Sequence, residues 1–449
     1  MRKKDEQMYF ALFWHLHQPL YRDPNTNLYV LPWVNFHAVK NYYQMIRLAE
    51  EQEFPCTFNL VPCLLEQIED YARGTAADPF QEALEADPED LSESQAERLR
   101  KILPGRQDKR ELQMGALRSF FSPLTPAEGK REALLDLRKT ILRNLMPDFI
   151  RLWQKGLIDI TTTPYYHPLL PLVIDQNCAR GEQLPARPYR YPEDGRAQIK
   201  KGKTYFEKIL GRAPTGMWPA EGGISREAAS AIEDSGISFA LTDESILWKS
   251  LPLPHRSDDL FHPYRTGNLS LFFRDRELSD LIGFEFQKWN EKDAVSHFLA
   301  KIHKRREADM GQDAILTVAL DGENPWAGYR DNGVPFLREL YSRLKKEDGV
   351  KPVLFTDYLS RRRPRREIDL AAGTWLGGFS KWMGDTAKNE YWDLLSQARM
   401  DCGPSEEIMV AEGSDWFWWA GEEDDPEFGR LFRAWIKKAY TSAGVEMPR

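Results

Sequence analysis

The sequence predicts an α/β fold: a closed or nearly closed barrel of parallel strands with helical insertions, followed by a C-terminal helical domain. Three observations carry this expectation. Short apolar runs rich in β-branched residues alternate with helix-prone stretches, the pattern of a parallel sheet with crossover helices. The runs end in polar clusters, and so many clusters serve one site only if the strands close and present their carboxyl ends on one face. Beyond about Arg366 the strand pattern disappears and helical periodicity remains.

Taken in order, Tyr9 to Leu16 is the first strand, ending in His15-Leu16-His17-Gln18-Pro19. Residues two apart on a strand share a face, so His15 and His17 project together. That spacing suits a metal site, a sugar-binding rim, or one core and one rim histidine. A helix follows around Asn41 to Glu53, and Cys56 to Leu60 is the next strand, with Asn59 and Pro62 near its end. From Asp78 to Lys155 the chain is charged, helix-prone and poor in β-branched residues, which predicts a helical insertion beside the sheet.

Ile158 to Thr163 restores strand character and runs into Pro164-Tyr165-Tyr166-His167-Pro168, a stiff loop around His167. Thr215 to Trp218 is a short strand ending in Pro219-Ala220-Glu221-Gly222-Gly223. Ser225 then caps a helix through Asp234, with Gly236 as its stop. Ile237 to Leu241 and Leu269 to Phe273 are further strands, the second ending in Arg274-Asp275-Arg276-Glu277. Ala314 to Leu320 is almost wholly apolar, the mark of a parallel strand covered on both faces. It stops at Asp321-Gly322-Glu323-Asn324-Pro325-Trp326. Val353 to Phe355, before Thr356-Asp357, is read as the last strand. The domains expected are a barrel over 1–365, with its insertion at about 78–155, and a helical domain over 366–449 that completes the cleft. Within the latter, Ala411 to Trp419 either leans over the barrel mouth or, through Trp418 and Trp419, seals the domain contact.

Composition narrows the partners. The 449 residues are 42% hydrophobic and 29% charged, an ordinary globular balance. The net charge of −8 argues against a nucleic-acid partner, and the short basic run Arg361 to Arg366 reads as a solvated linker. The 14 Trp and 17 Tyr suit sugar stacking as well as a large core. No apolar run is long enough for a membrane span, and the N-terminal stretch, broken by acids, lacks a secretory cleavage pattern. Four Cys without metal-like spacing predict reduced thiols and a cytoplasmic location. No cofactor is expected, since nucleotide-binding, Gly-x-Ser-x-Gly and HExxH patterns are all missing from the sequence.

Glu221 and Asp321 end different strands, so a barrel brings them face to face. Two carboxyls that cleave a glycosidic bond with retention stand roughly 5 Å apart. At that distance two charges repel by roughly 3 kcal/mol at an effective dielectric of ~20, enough to raise one pKa by about two units. Mutual repulsion is therefore the expected source of the acid. Glu323, Asp275, Glu277 and Glu412 compete for the role, Glu323 foremost. His15, His17 and His167 with an Asp form the alternative, a divalent-metal site.

These residues resemble glycoside hydrolase family 57. His17-Gln18-Pro19 matches its first motif, Trp218-Pro219-Ala220-Glu221 its third and Asp321-Gly322-Glu323-Asn324 its fourth. Gly156-Leu157-Ile158-Asp159 resembles the second, where the family more often has Asn or a similar residue second and Glu fourth. Ala411 to Trp419 resembles the fifth. The resemblance implies a distorted (β/α)7 barrel with a C-terminal helical bundle and metal-independent, retaining action on α-glucans. It makes Glu221 the nucleophile and Asp321 the general acid/base. It also places Gln18, His17, His167, Arg274, Glu323 and Asp415 on the substrate, with Trp218, Trp326 and Trp416 shaping the cleft. Arg274 to Asp280 and Trp375 to Trp392 resemble the α-amylase and amylopullulanase branch. A 4-α-glucanotransferase on the same site, a non-catalytic glucan-binding protein and a metal-dependent deacetylase or mannosidase are the alternatives.

Overall fold

The computed structural model describes residues 7–103, 107–121, 123, 129–307, 313–422 and 426–448. Its strands are β1 (Met8–Leu16), β2 (Cys56–Leu60), β3 (Ile158–Thr161), β4 (Gly216–Met217), β5 (Phe239–Asp243), β6 (Tyr264–Thr266), β7 (Leu269–Arg274), β8 (Ile315–Asp321) and β9 (Val350–Pro352). All except β6 and β9 run parallel in one ring, β8-β1-β2-β3-β4-β5-β7. Two weak seams close it. Between β3 and β4, Thr162 N–H donates to Gly216 O at 3.1 Å and Trp218 N–H to Thr162 O at 3.0 Å. Between β7 and β8 the closure is Asp275 N–H to Thr317 O at 2.8 Å. The result is a distorted (β/α)7 barrel.

Strand parity decides which residues reach the site. Along β1, Phe10, Leu12 and Trp14 join the core under the outer helices, while Ala11 and Phe13 fill the barrel interior. On β8, Leu316 and Val318 point outward, and Ile315 and Ala319 inward. Counting on by two puts His15 and Asp321 on the last inward rung, where register pairs His15 with Asn59 on one side and Asp321 on the other. Asp243 and Arg274 pair on the same rung of β5 and β7. The floor is closed by Phe355–Arg361, a helix whose Phe355 and Tyr358 pack among Phe13, Phe239 and Phe272.

Three expectations are corrected. Val353 to Phe355 is not a strand: the pairing segment is Val350–Pro352, against Met8 to Phe10, and Phe355 begins the floor helix. The helix expected around Asn41 to Glu53 begins earlier, at Trp33, and passes through a π-helical turn over Ala38–Tyr42 before ending at Glu51. Tyr264–Thr266 adds an antiparallel strand beside β7 that the sequence reading omitted.

Helices Pro79–Glu85, Glu93–Ile102, Lys109–Ser119 and Arg131–Gln154 lie between β2 and β3. After β9 the regular elements of the described chain are helices, with an irregular stretch over 362–385 between Phe355–Arg361 and the later Thr386–Cys402, Glu406–Ala411, Ser414–Trp419 and Pro426–Ala443. Arg399 joins this region to the helix Pro192–Leu210 by bonding Asp194 through Nε at 2.6 Å and Nη2 at 3.0 Å. One hydrophobic cluster runs from Met8 through Phe149 to Tyr440. No helix among the described residues is long and apolar enough to cross a membrane.

Candidate active site

The strand ends open into a cavity of about 770 Å³, lined by His15, His17, Gln18, His167, Trp218, Glu221, Arg274, Asp321, Glu323 and Asp415 among others. The non-tryptophan residues that the family resemblance assigns to catalysis or substrate are therefore on one surface. Of the three tryptophans, only Trp218 lines the cavity. Trp326 and Trp416 are buried (0% and 2% exposed), and their indole N–H groups donate to Gly322 O at 2.8 Å and Val410 O at 2.7 Å. They stiffen the Asp321 and Ser414 loops from behind. The cleft aromatics are instead Trp33, Trp375, Trp418, Trp419 and Phe428.

Glu221 follows β4 in a left-handed conformation, φ 60° and ψ 23°, which a non-glycine residue adopts at a cost. Its carboxyl is held at both oxygens. Trp375 Nε1–H donates to Oε2 at 3.0 Å, and Ser414 Oγ lies 3.0 Å from Oε1. Both partners come from beyond residue 366. Trp375 is itself tied to the barrel, its N–H donating to Glu221 O at 3.0 Å and its carbonyl accepting from Arg276 Nη2 at 2.6 Å. Burial, and next Asp415, push the Glu221 pKa up to about 7 against the pull of its hydrogen bonds and of His17.

Asp321 is an exposed residue within the cavity that it lines. Burial raises its pKa, opposed by the Asn324 amide at 2.9 Å and by His17 and Arg274. The expected mutual repulsion is thus corrected. Neither carboxyl is what raises the other; each is perturbed chiefly by loss of water, since a desolvated carboxylate is costly whatever stands opposite. Glu323 is raised well above the usual range by burial and then by Asp321. Its Oε1 accepts from Tyr42 OH at 2.5 Å and from His17 N–H at 3.0 Å.

The histidines form a stack. His17 and His167 rings lie 3.7 Å apart at 16°, and His15 Nε2 is 3.2 Å from His167 Nε2. His17 Nε2 meets Asp415 Oδ1 and Oδ2 at 3.0 Å, and His167 Nδ1 meets Ser414 Oγ at 2.9 Å. His17, His167 and Asp415 place ligand-type atoms within 4.8 Å of one another. In near-parallel rings, however, the in-plane lone pairs run alongside each other and do not converge on one ion. The stack fits ring-on-ring packing and proton bookkeeping better than chelation.

Arg274 is 6% exposed, donating from Nε to Asp243 at 2.8 Å and from Nη1 to Ala319 O at 3.2 Å. Its buried Nη2 has no hydrogen-bond partner among the described residues, though it forms an ion pair with Asp280 at 3.6 Å. The rival acids are committed elsewhere. Asp275 is bonded by Arg305, Glu277 by Lys301 and Arg305, and Glu412 by Tyr189 and Gln198. Asp159, of the second motif, points inward near the floor and accepts from Thr356 N–H at 3.1 Å, capping the floor helix rather than touching the cavity. Ser414 and Trp375 are the contacts that sequence reading missed. Both sat in stretches already noticed as aromatic, but nothing local marked them as partners of Glu221.

Fold and site together define a (β/α)7-barrel protein whose cleft is walled by carboxyls, imidazoles and tryptophans. The chain belongs to Glycosyl hydrolase family 57, whose model matches residues 11–371. It is 23% identical over 262 residues to an α-amylase of Pyrococcus horikoshii, covering 57% of this chain and 35% of that protein. It is 25% identical over 244 residues to a 4-α-glucanotransferase of Thermococcus kodakarensis, covering 52% of this chain and 32% of that protein. The chain thus spans about a third of the length of these curated relatives. Its fold matches the crystal structure of a family 57 branching enzyme of Thermococcus kodakaraensis with a TM-score of 0.70 at 17% identity, over 97% of this chain and 90% of that one.

Proposed function

We propose that the chain is a retaining, α-glucan-cleaving enzyme with Glu221 as nucleophile and Asp321 as general acid/base. The observation that carries this reading is the pairing in one aromatic-walled cavity of two carboxyls in different settings, Glu221 held at both oxygens by Trp375 and Ser414 and Asp321 exposed to the cavity. In the first step Glu221 attacks the anomeric carbon while protonated Asp321 gives its proton to the departing oxygen. In the second, Asp321 takes a proton from the acceptor, whose oxygen displaces Glu221. Arg274 and His17 line the cavity as polar groups beside which sugar hydroxyls would lie, and Trp218 and Trp375 offer flat faces for the ring. The four cysteines, all free, fit a reducing cytoplasm.

Hydrolysis is the leading reading and glycosyl transfer the second. The transferase among the relatives favours the second, because water and a sugar hydroxyl compete for the same glycosyl intermediate. Incubation with maltooligosaccharides and with pullulan, products followed by size, tests both. Shorter chains alone mean hydrolysis, and longer chains alongside them mean transfer. Binding without any change in size would leave only a glucan-binding protein.

A further inference from the structure

We infer that the hydrogen-bond chain from Asn59 through His15, His167 and Ser414 to Glu221 is one proton short when Glu221 is ionised, so that the fold holds this carboxyl protonated. The inference takes from the proposed function only that Glu221 must be ionised to attack.

The direction of the chain is fixed at its far end. Asn59 Nδ2 donates to Thr162 O at 2.7 Å and Thr161 Oγ1 at 3.2 Å, so the atom facing His15 Nδ1 at 2.7 Å is the acceptor Oδ1. His15 therefore carries its proton on Nδ1. Burial, with His17 adding to it, lowers the His15 pKa to about 3, so the ring is neutral and Nε2 is bare. That bare nitrogen lies 3.2 Å from His167 Nε2, which must be the donor. His167 is also held neutral, by burial and by His17 and His15 beside it, so its Nδ1 is bare and takes the Ser414 hydroxyl proton at 2.9 Å.

Ser414 has a single proton and has now spent it. Its oxygen faces Glu221 Oε1 at 3.0 Å with lone pairs only, and this contact is a hydrogen bond when Oε1 bears a proton. Oε2, accepting from Trp375, is then the carbonyl oxygen of a neutral acid. The other groups facing Glu221 do not alter the count. Asp415 favours the proton, His17 opposes it, His167 Nδ1 lies 3.9 Å from Oε1, and Asp321 and Arg274 line the same cavity. On ionisation the carboxyl proton passes to solvent. Ser414 then keeps its proton on His167 or turns it to Glu221, and either choice leaves one contact with lone pairs opposed.

Histidine tautomers read this directly, without any sugar. In the full chain with ring-15N histidine, His15 is expected as the Nδ1–H tautomer and His167 as the Nε2–H tautomer, at about pH 6 and about pH 8 alike. The bare His167 Nδ1 resonance should move with a single titration as its serine partner is drawn off. In Glu221→Gln the side-chain amide donates to Ser414 as the acid does, so that movement should vanish; in Ser414→Ala it should be uncoupled from Glu221. Finding His167 protonated on Nδ1, or an unchanged titration in Glu221→Gln, overturns the inference. Loss of glucan turnover with these signals intact would instead count against the proposed function alone.

Discussion

Glu221 is set against its relaxed state twice, by a left-handed backbone and by a buried carboxyl whose pKa stands at about 7. Such strain is held where the surroundings over-determine it. The folded chain keeps the Glu221 proton up to that pH, whereas an unfolded glutamate releases it near the ordinary 4.5. Stability is therefore fully present below the unfolded value and is lost as pH rises through the folded one. The loss amounts to about 3 kcal/mol. Glu221→Gln removes this liability. Its melting temperature should match wild type at about pH 4 and exceed it at about pH 8; equal melting at both contradicts the pKa. On the proposed mechanism the sign for activity is reversed, because Glu221 must be ionised to attack. With Asp321 needed in its protonated form as well, kcat/KM should be bell-shaped, rising tenfold per pH unit on its acid limb and falling again as the Asp321 proton is lost, a profile that initial rates on a maltooligosaccharide would show. The two candidate acids stood out in the sequence because each lies at or just beyond the end of a strand. The partners that hold Glu221 did not, lying 154 and 193 positions away with no local signature. The repulsion argument failed for a related reason: strand ends give proximity, whereas desolvation depends on walls supplied by distant segments.

Among the elements, the floor helix Phe355–Arg361 supports the inward rung from below. Phe355 is wholly buried among aromatic rings, its centroid 4.8 Å from Phe272 and 5.7 Å from Phe239. Phe355→Ala should cost about 3–5 kcal/mol in urea unfolding, with the residual folded enzyme keeping its KM. A cost under about 1 kcal/mol would mean the floor is not packed as described. This helix was misread as a strand because a short apolar run such as Val353 to Phe355 has no periodicity of its own. Long periodic elements were read correctly in kind. β1 and β8 match within a residue, since buried parallel strands announce themselves as unbroken apolar runs. In the aromatic helix Ser414–Trp419, composition was legible but phase was not. Trp416 turns inward while Trp418 and Trp419 face the cleft, as a rotation of about 100° per residue separates neighbours.

Across the whole molecule, the site is shared between the barrel strands and the chain beyond residue 366. Trp375, Ser414 and Asp415 reach Glu221 and His17 from there, and the core is continuous through both regions. Calorimetry should accordingly show one cooperative transition; two resolved transitions would mean the helical region folds as a separate unit. Arg399→Ala breaks a buried, doubly bonded pair with Asp194 and should cost about 3–5 kcal/mol, whereas a surface pair is worth little. The central claim is that Glu221 and Asp321 act by double displacement on α-glucans. Time-resolved 1H NMR of the anomeric signals during cleavage of a maltooligosaccharide tests it most directly. The account predicts that newly formed reducing ends appear first as the α-anomer, and that none appear with Glu221→Gln. First appearance of the β-anomer, or undiminished cleavage by that variant, would contradict it.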